Sequence, residues 1–152
     1  MTIDPVTVQQ LLDLYPALQA IDESERQRVL QTDTQRATVP AGTTLFEEGQ
    51  PCRGFPMLLA GSVRVARGSP GGRSLELYRV TPGELCVVST SCLFGTVPLT
   101  AHGHTTEATD LVLLSPAGFA RCAAFEPFRR FVFGVFADRL ADLMALAEAV
   151  AF

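Results

Sequence analysis

The sequence predicts a mainly β chain with flanking helices, its strands closing as an antiparallel sandwich or barrel. Three observations predict it. Short strand-like runs recur roughly every ten residues between Ala37 and Leu114, Gly and Pro clusters separate them, and the spacing of apolar residues changes to three-and-four on either side. The 152 residues, 47% of them hydrophobic, suit one domain with its own core and exclude a disordered chain.

The first segment is helical. Val8, Leu11, Leu12 and Tyr15 fall on one helix face, and Pro16 interrupts it. Asp22 followed by Glu25 is a capping-box pattern that opens a second helix through Leu30, and Thr32 to Arg36 is a polar boundary. Val39 to Phe46 then reads as strand, turn and strand, with Glu47–Pro51 as a second turn. Gly61–Arg67 alternates, with Val63 and Val65 on one face and Arg64 on the other. Gly68–Gly72 turns the chain into Leu75–Val80, Thr81-Pro82-Gly83 turns it again, and Leu111–Leu114 is the last clear strand.

Ser115-Pro116 pairs an N-cap with Pro at the first helical position. From Glu126-Pro127 one long helix is expected to the end of the chain. Phe128, Phe131, Val132, Val135, Phe136, Leu140, Leu143, Leu146, Ala147 and Val150 form its apolar stripe, with Asp138, Arg139, Asp142 and Glu148 on the other side. A helix of about 25 residues is nearly 40 Å long, more than a barrel this small can cover. The half beyond Arg139 therefore overhangs and needs a partner, for which a second copy is the simplest choice. Phe136, Leu140, Leu143, Leu146 and Val150 are the expected dimer interface. The chain stops on Ala151-Phe152 in mid-pattern, which reads as a cut within a longer protein. The expected units are residues 1–36 (N-terminal helices), 37–122 (the barrel) and 123–152 (the long helix).

Charge and cysteine usage narrow the function. All 12 basic residues are Arg, they are dispersed, and the net charge is −4, so the chain lacks the clustered cations that grip a phosphate backbone. No apolar run approaches a membrane span, and the N-terminus lacks the basic and apolar regions of a signal peptide. A cytoplasmic setting with reduced thiols at Cys52, Cys86, Cys92 and Cys122 is expected. Cys52 and Cys122 have no partner in the sequence and read as structural.

Several segments together carry a resemblance. Gly42–Gly49, Leu58–Val65, Gly72-Arg73 ahead of Leu75–Tyr78, and Pro82-Gly83-Glu84 resemble the cyclic-nucleotide-binding β-roll, a jelly-roll type. More narrowly they are similar to the sensor domain of the bacterial Crp/Fnr transcription factors. The resemblance covers about residues 37 to 150. It implies a β-roll sensor, a long dimerisation helix, and DNA contact only through a helix-turn-helix domain that this chain lacks. In cyclic-nucleotide binders the turn leads to a phosphate-binding cassette with Phe-Gly-Glu and, further on, Arg-(Ser/Thr)-Ala. Here Cys86-Val87-Val88 occupies the first slots, and no Arg stands between Arg79 and Arg121. A buried phosphodiester left without a cation is costly, so cAMP and cGMP are not the expected ligands. Helix N-terminal amides are an alternative anion holder.

The segment in the cassette's place, Cys86 to Gly95 and on through Thr96 to His104, holds hydroxyls, thiols and both histidines. Three readings stand. The hydroxyls cap a short helix and the cysteines fill core; or the segment lines a small-molecule pocket; or thiols and imidazoles sense redox state, nitric oxide, haem or a metal. Cys86, Ser89, Ser91, Cys92 and His104 are the candidate ligand-binding residues, with the effector unknown. No catalytic residue, resident metal or cofactor is expected. The enzyme alternative is a cupin-like metal-dependent barrel. Gly95, His102, His104 and Glu107 approximate its first motif with altered spacing, but the third His it needs is missing from a sequence with two.

Overall fold

The structure, a computed structural model, describes residues 3–95 and 97–152. Met1 and Thr2, part of the terminus read for a leader, and Thr96, part of the hydroxyl-rich segment, lie outside the described residues.

Helix α1 (Pro5–Leu14) begins where the Asp4 carboxylate accepts the Thr7 N–H, with Pro5 at the first helical position. A 3₁₀ turn over Pro16–Ala20 follows the interruption. Helix α2 (Glu23–Thr32) is capped by Asp22, whose carboxylate accepts the Glu25 N–H at 3.3 Å, as the pattern predicted. Seven strands come next, β1 (Thr34–Val39), β2 (Thr44–Phe46), β3 (Phe55–Ala60), β4 (Val63–Gly68), β5 (Ser74–Val80), β6 (His102–Thr105) and β7 (Thr109–Leu114), with helix α3 (Val87–Gly95) between β5 and β6. Strand β1 starts at Thr34, inside the stretch read as a polar boundary. Its residues pair in register with β7, from Thr34 opposite Leu114 to Val39 opposite Thr109, and that pairing outweighs their polarity.

The strands form two antiparallel sheets, one ordered β1-β7-β3 and the other β2-β6-β4-β5. Strand β7 explains the unbroken apolar run Leu111–Leu114, because both of its faces are covered. Val112 and Leu114 pack with Phe55, Met57 and the helices, whereas Leu111 packs with Leu58, Val63, Val65 and Val80 between the sheets. Gly61 makes the β3–β4 turn at φ 99°, with the backbone of Ala108 and Thr109 so close that a Cβ would lie 2.6 Å from Thr109 Cα.

Helix α4 (Pro116–Ala123) is capped by Ser115, whose Oγ accepts the Gly118 N–H at 3.1 Å, and helix α5 (Glu126–Ala151) runs for 26 residues. Among the described residues helices hold more than strands, yet the strands supply the two sheets on which the helices pack. Aromatic rings tie the layers together. Phe119 lies 5.2 Å from Phe55, 5.8 Å from Phe128 and 5.1 Å from Phe94, between centroids, joining α3, α4, α5 and β3. The Tyr15 hydroxyl donates to the Leu58 carbonyl at 3.0 Å and pins α1 to the same sheet. Among the described residues no helix is long and apolar enough to cross a membrane.

Candidate functional site

The turn Thr81–Glu84, with Gly83 at φ 87° and the Glu84 carboxylate accepting the Thr81 N–H, delivers the chain from β5 to α3. Here the Ser89 and Thr90 side chains face the chain itself. Thr90 Oγ1 donates to the Cys86 carbonyl at 2.8 Å, and Ser89 Oγ donates to Cys86 Sγ at 3.1 Å. Cys86, Ser89, Thr90 and Cys92 are all buried, while Ser91 is exposed.

Tyr78, on β5, reaches across to this helix. Its hydroxyl oxygen accepts the Val88 N–H at 3.0 Å and lies 3.8 Å from Cys86 Sγ. Val88 stands in the first turn of α3, where backbone N–H groups have no intrahelical acceptor. A side chain of the neighbouring strand thus takes a donor that a bound anion would otherwise use. Burial, and after it the adjacent Cys86, raises the Tyr78 pKa well above that of an ordinary phenol, so the hydroxyl stays neutral. Burial likewise pushes the Cys86 thiol up.

Arg139 closes the arrangement from above. Its guanidinium lies 4.7 Å from the centroid of the Tyr78 ring, on the ring face. The helical pattern placed Arg139 on the polar side of α5, and the structure lays it on the ring of Tyr78. This cation stands outside the Arg79–Arg121 interval of the sequence and is brought to Tyr78 by the fold.

His104 lies elsewhere. Its neighbours Gly103 and Thr105 are buried, while His104 and His102 project from the other face of β6. Their rings are 4.8 Å apart and Thr44 Oγ1 is 2.9 Å from His104 Nδ1. The structure therefore brings Cys86 and Ser89 together and leaves His104 apart from them. Among the described residues no three His, Cys, Asp or Glu side chains converge as a metal-ligand set.

Between the two sheets lies a cavity of about 420 Å³, walled by Leu45, Phe46, Leu99, Leu111 and Leu113 and bordered by Arg53, Cys52 and Ser89. Its size is that of small-molecule pockets. Arg53 and the cavity were invisible to linear reading, because the sheets that assemble them are joined by non-local pairing.

The fold and this site define a class: a β-roll with a cassette helix at one side and a long helix laid across it. The chain belongs to the cyclic nucleotide-binding domain family, whose sequence model matches residues 36–124. Solved structures are similar in fold. The regulatory domain of Toxoplasma gondii PKA, crystallised with cAMP, aligns at TM-score 0.68 and 21% identity over 78% of this chain and 45% of its own. A putative Crp/Fnr-family transcriptional regulator from Eubacterium rectale aligns at 0.78 and 20%, over 90% of this chain and 63% of its own. The sensor domain of the transcriptional regulator DNR from Pseudomonas aeruginosa aligns at 0.75 and 19%, over 92% and 93%. The chain thus spans less than two thirds of the first two. A comparison with curated proteins finds no match.

Proposed function

We propose that this chain is the effector-sensing, dimerising domain of a Crp/Fnr-type transcription regulator. In this reading it is not an enzyme, its cassette does not grip a cyclic nucleotide, and DNA is reached only through a separate domain. The observation that carries the reading is the continuity of α5. Arg139 rests on Tyr78 at the cassette, and from Leu140 to the end of the chain every residue is exposed. Leu140, Leu143 and Leu146 are 58%, 62% and 62% exposed and Val150 is 82%, leaving an apolar stripe bare beside a half-buried Phe136. One continuous helix runs from the Tyr78 ring beside the cassette to an uncovered seam. The same seam on a second copy would cover it around a two-fold axis.

The occupied Val88 amide supports the view that the cassette holds no phosphate. The cavity bordered by Ser89 and Arg53 is the proposed effector site. An effector there shifts the balance between two pairings of α5, and so the spacing of two DNA-reading domains.

Sedimentation equilibrium tests the dimer. The wild-type chain is expected at twice its monomer mass, and Leu140→Glu with Leu143→Glu at the monomer mass with an unchanged circular dichroism spectrum. A monomeric wild type overturns the reading.

A further inference from the structure

Two thiols far apart in sequence are brought to one side of α3. Cys52, in the connection between β2 and β3, reaches α3 with its sulfur 3.7 Å from the Ser89 carbonyl, and Cys92 lies three residues further along that helix. Both line a surface pocket of about 340 Å³ together with Pro51, Leu93, Val97 and Pro98. Each sulfur also reaches a backbone carbonyl, Cys52 that of Gly54 at 3.1 Å and Cys92 that of Val97 at 2.7 Å. Cys86, the nearer partner for Cys92 in sequence, is turned inward to Ser89 and Tyr78 instead.

We propose that Cys52 and Cys92 form a redox-modification site that closes to a disulfide on exposure to a hydroperoxide. Cys52 is half-buried while Cys92 is 5% exposed, so Cys52 meets the oxidant first. Its sulfur, as thiolate, attacks one peroxide oxygen. The O–O bond breaks, the alcohol (water, for hydrogen peroxide) leaves carrying the thiol's proton, and a sulfenic acid remains on Cys52. The Cys92 sulfur then attacks that sulfur, the S–S bond forms, and the sulfenic oxygen leaves as water with the second proton. Two thiols and one hydroperoxide give one disulfide, one alcohol and one water, with two electrons passing from sulfur to the peroxide bond.

Burial pushes the Cys52 thiol up to about 11, so little thiolate is present at neutral pH and the reaction is slow. The site answers sustained oxidant rather than traces. The link ties α3 to the β2–β3 connection, and Cys52 also borders the inter-sheet cavity, so closure would alter the rim of that cavity. It does not depend on the cassette being closed to nucleotides or on α5 pairing.

Peptide mapping without reduction tests it on the whole wild-type chain after treatment with hydrogen peroxide. The expected result is a Cys52–Cys92 cross-linked peptide, loss of two of the four alkylatable thiols, and recovery of all four with dithiothreitol. The same link is expected in Cys86→Ser. Full alkylation of both residues after treatment, a link between Cys86 and Cys92, or over-oxidation of Cys52 with Cys92 still free would overturn the proposal.

Discussion

The Tyr78 hydroxyl accepts the Val88 N–H at 3.0 Å, so a side chain of β5 caps the first turn of α3. The same ring carries Arg139 on its face, so one residue joins strand, cassette helix and long helix. Removing only its oxygen is the mildest way to test the joint. Tyr78→Phe leaves a part-buried N–H unpaired and is expected to cost about 1–2 kcal/mol. The urea midpoint falls accordingly, with the m-value unchanged.

Arg139 is coupled to that ring. Arg139→Gln removes the cation and is expected to cost about 0.5–1 kcal/mol. In a Tyr78→Leu background the same change should cost nothing beyond error, because the π face is gone. A double-mutant cycle on unfolding free energies checks this; equal costs in both backgrounds would dissociate the two residues.

Gly61 and Gly72 both hold positive φ, at 99° and 76°, but differ in surroundings. A Cβ on Gly61 runs into the Ala108 and Thr109 backbone, whereas one on Gly72 meets nothing within 4 Å. Gly72→Ala is expected to cost about 1 kcal/mol of backbone strain. Gly61→Ala must also displace a neighbouring turn, and its expected outcome is loss of cooperative folding or a melting temperature lower than that of Gly72→Ala by more than about 10 °C, roughly 3 kcal/mol in a domain of this size.

Much of the fold was legible in local signals. Asp22, Ser115 and the Pro residues at helix starts act within one turn, and the sequence showed them directly. The strands of β4 and β5 were legible because one side of β4 is buried and the other is not, which writes alternation into Val63, Arg64 and Val65. The site was much less so. Tyr78 caps a helix from a neighbouring strand, Arg139 crosses from α5, and Cys52 and Cys92 come to line one pocket through the tertiary fold. None of these leaves a spacing to read. His104 looked like a neighbour of the thiols because it follows them in sequence, but the two-residue period of β6 turns it to the other face. Strand β1 was missed at its start because its partner strand, not its own polarity, makes it a strand.

Buried acids set a pH limit. Burial raises Cys122 from 9.0 to about 12 and Tyr15 from 10.0 to about 12, and Cys52 from 9.0 to about 11. Between those limits the unfolded chain has released protons that the folded chain retains. Stability is therefore undiminished below about pH 9 and falls as pH rises towards 12, by at most about 1.4 kcal/mol per pH unit for each such group. Urea midpoints compared at about pH 8 and pH 10 should show the drop, and Cys122→Ala should show a smaller one. A flat profile would contradict the burial of these groups.

Calorimetric titration of the wild-type chain with cAMP, repeated with cGMP, tests most directly whether Tyr78 leaves the cassette closed to nucleotides. The expected result is no saturable heat for either ligand up to millimolar concentration. Saturable, stoichiometric binding of either with micromolar affinity would contradict it.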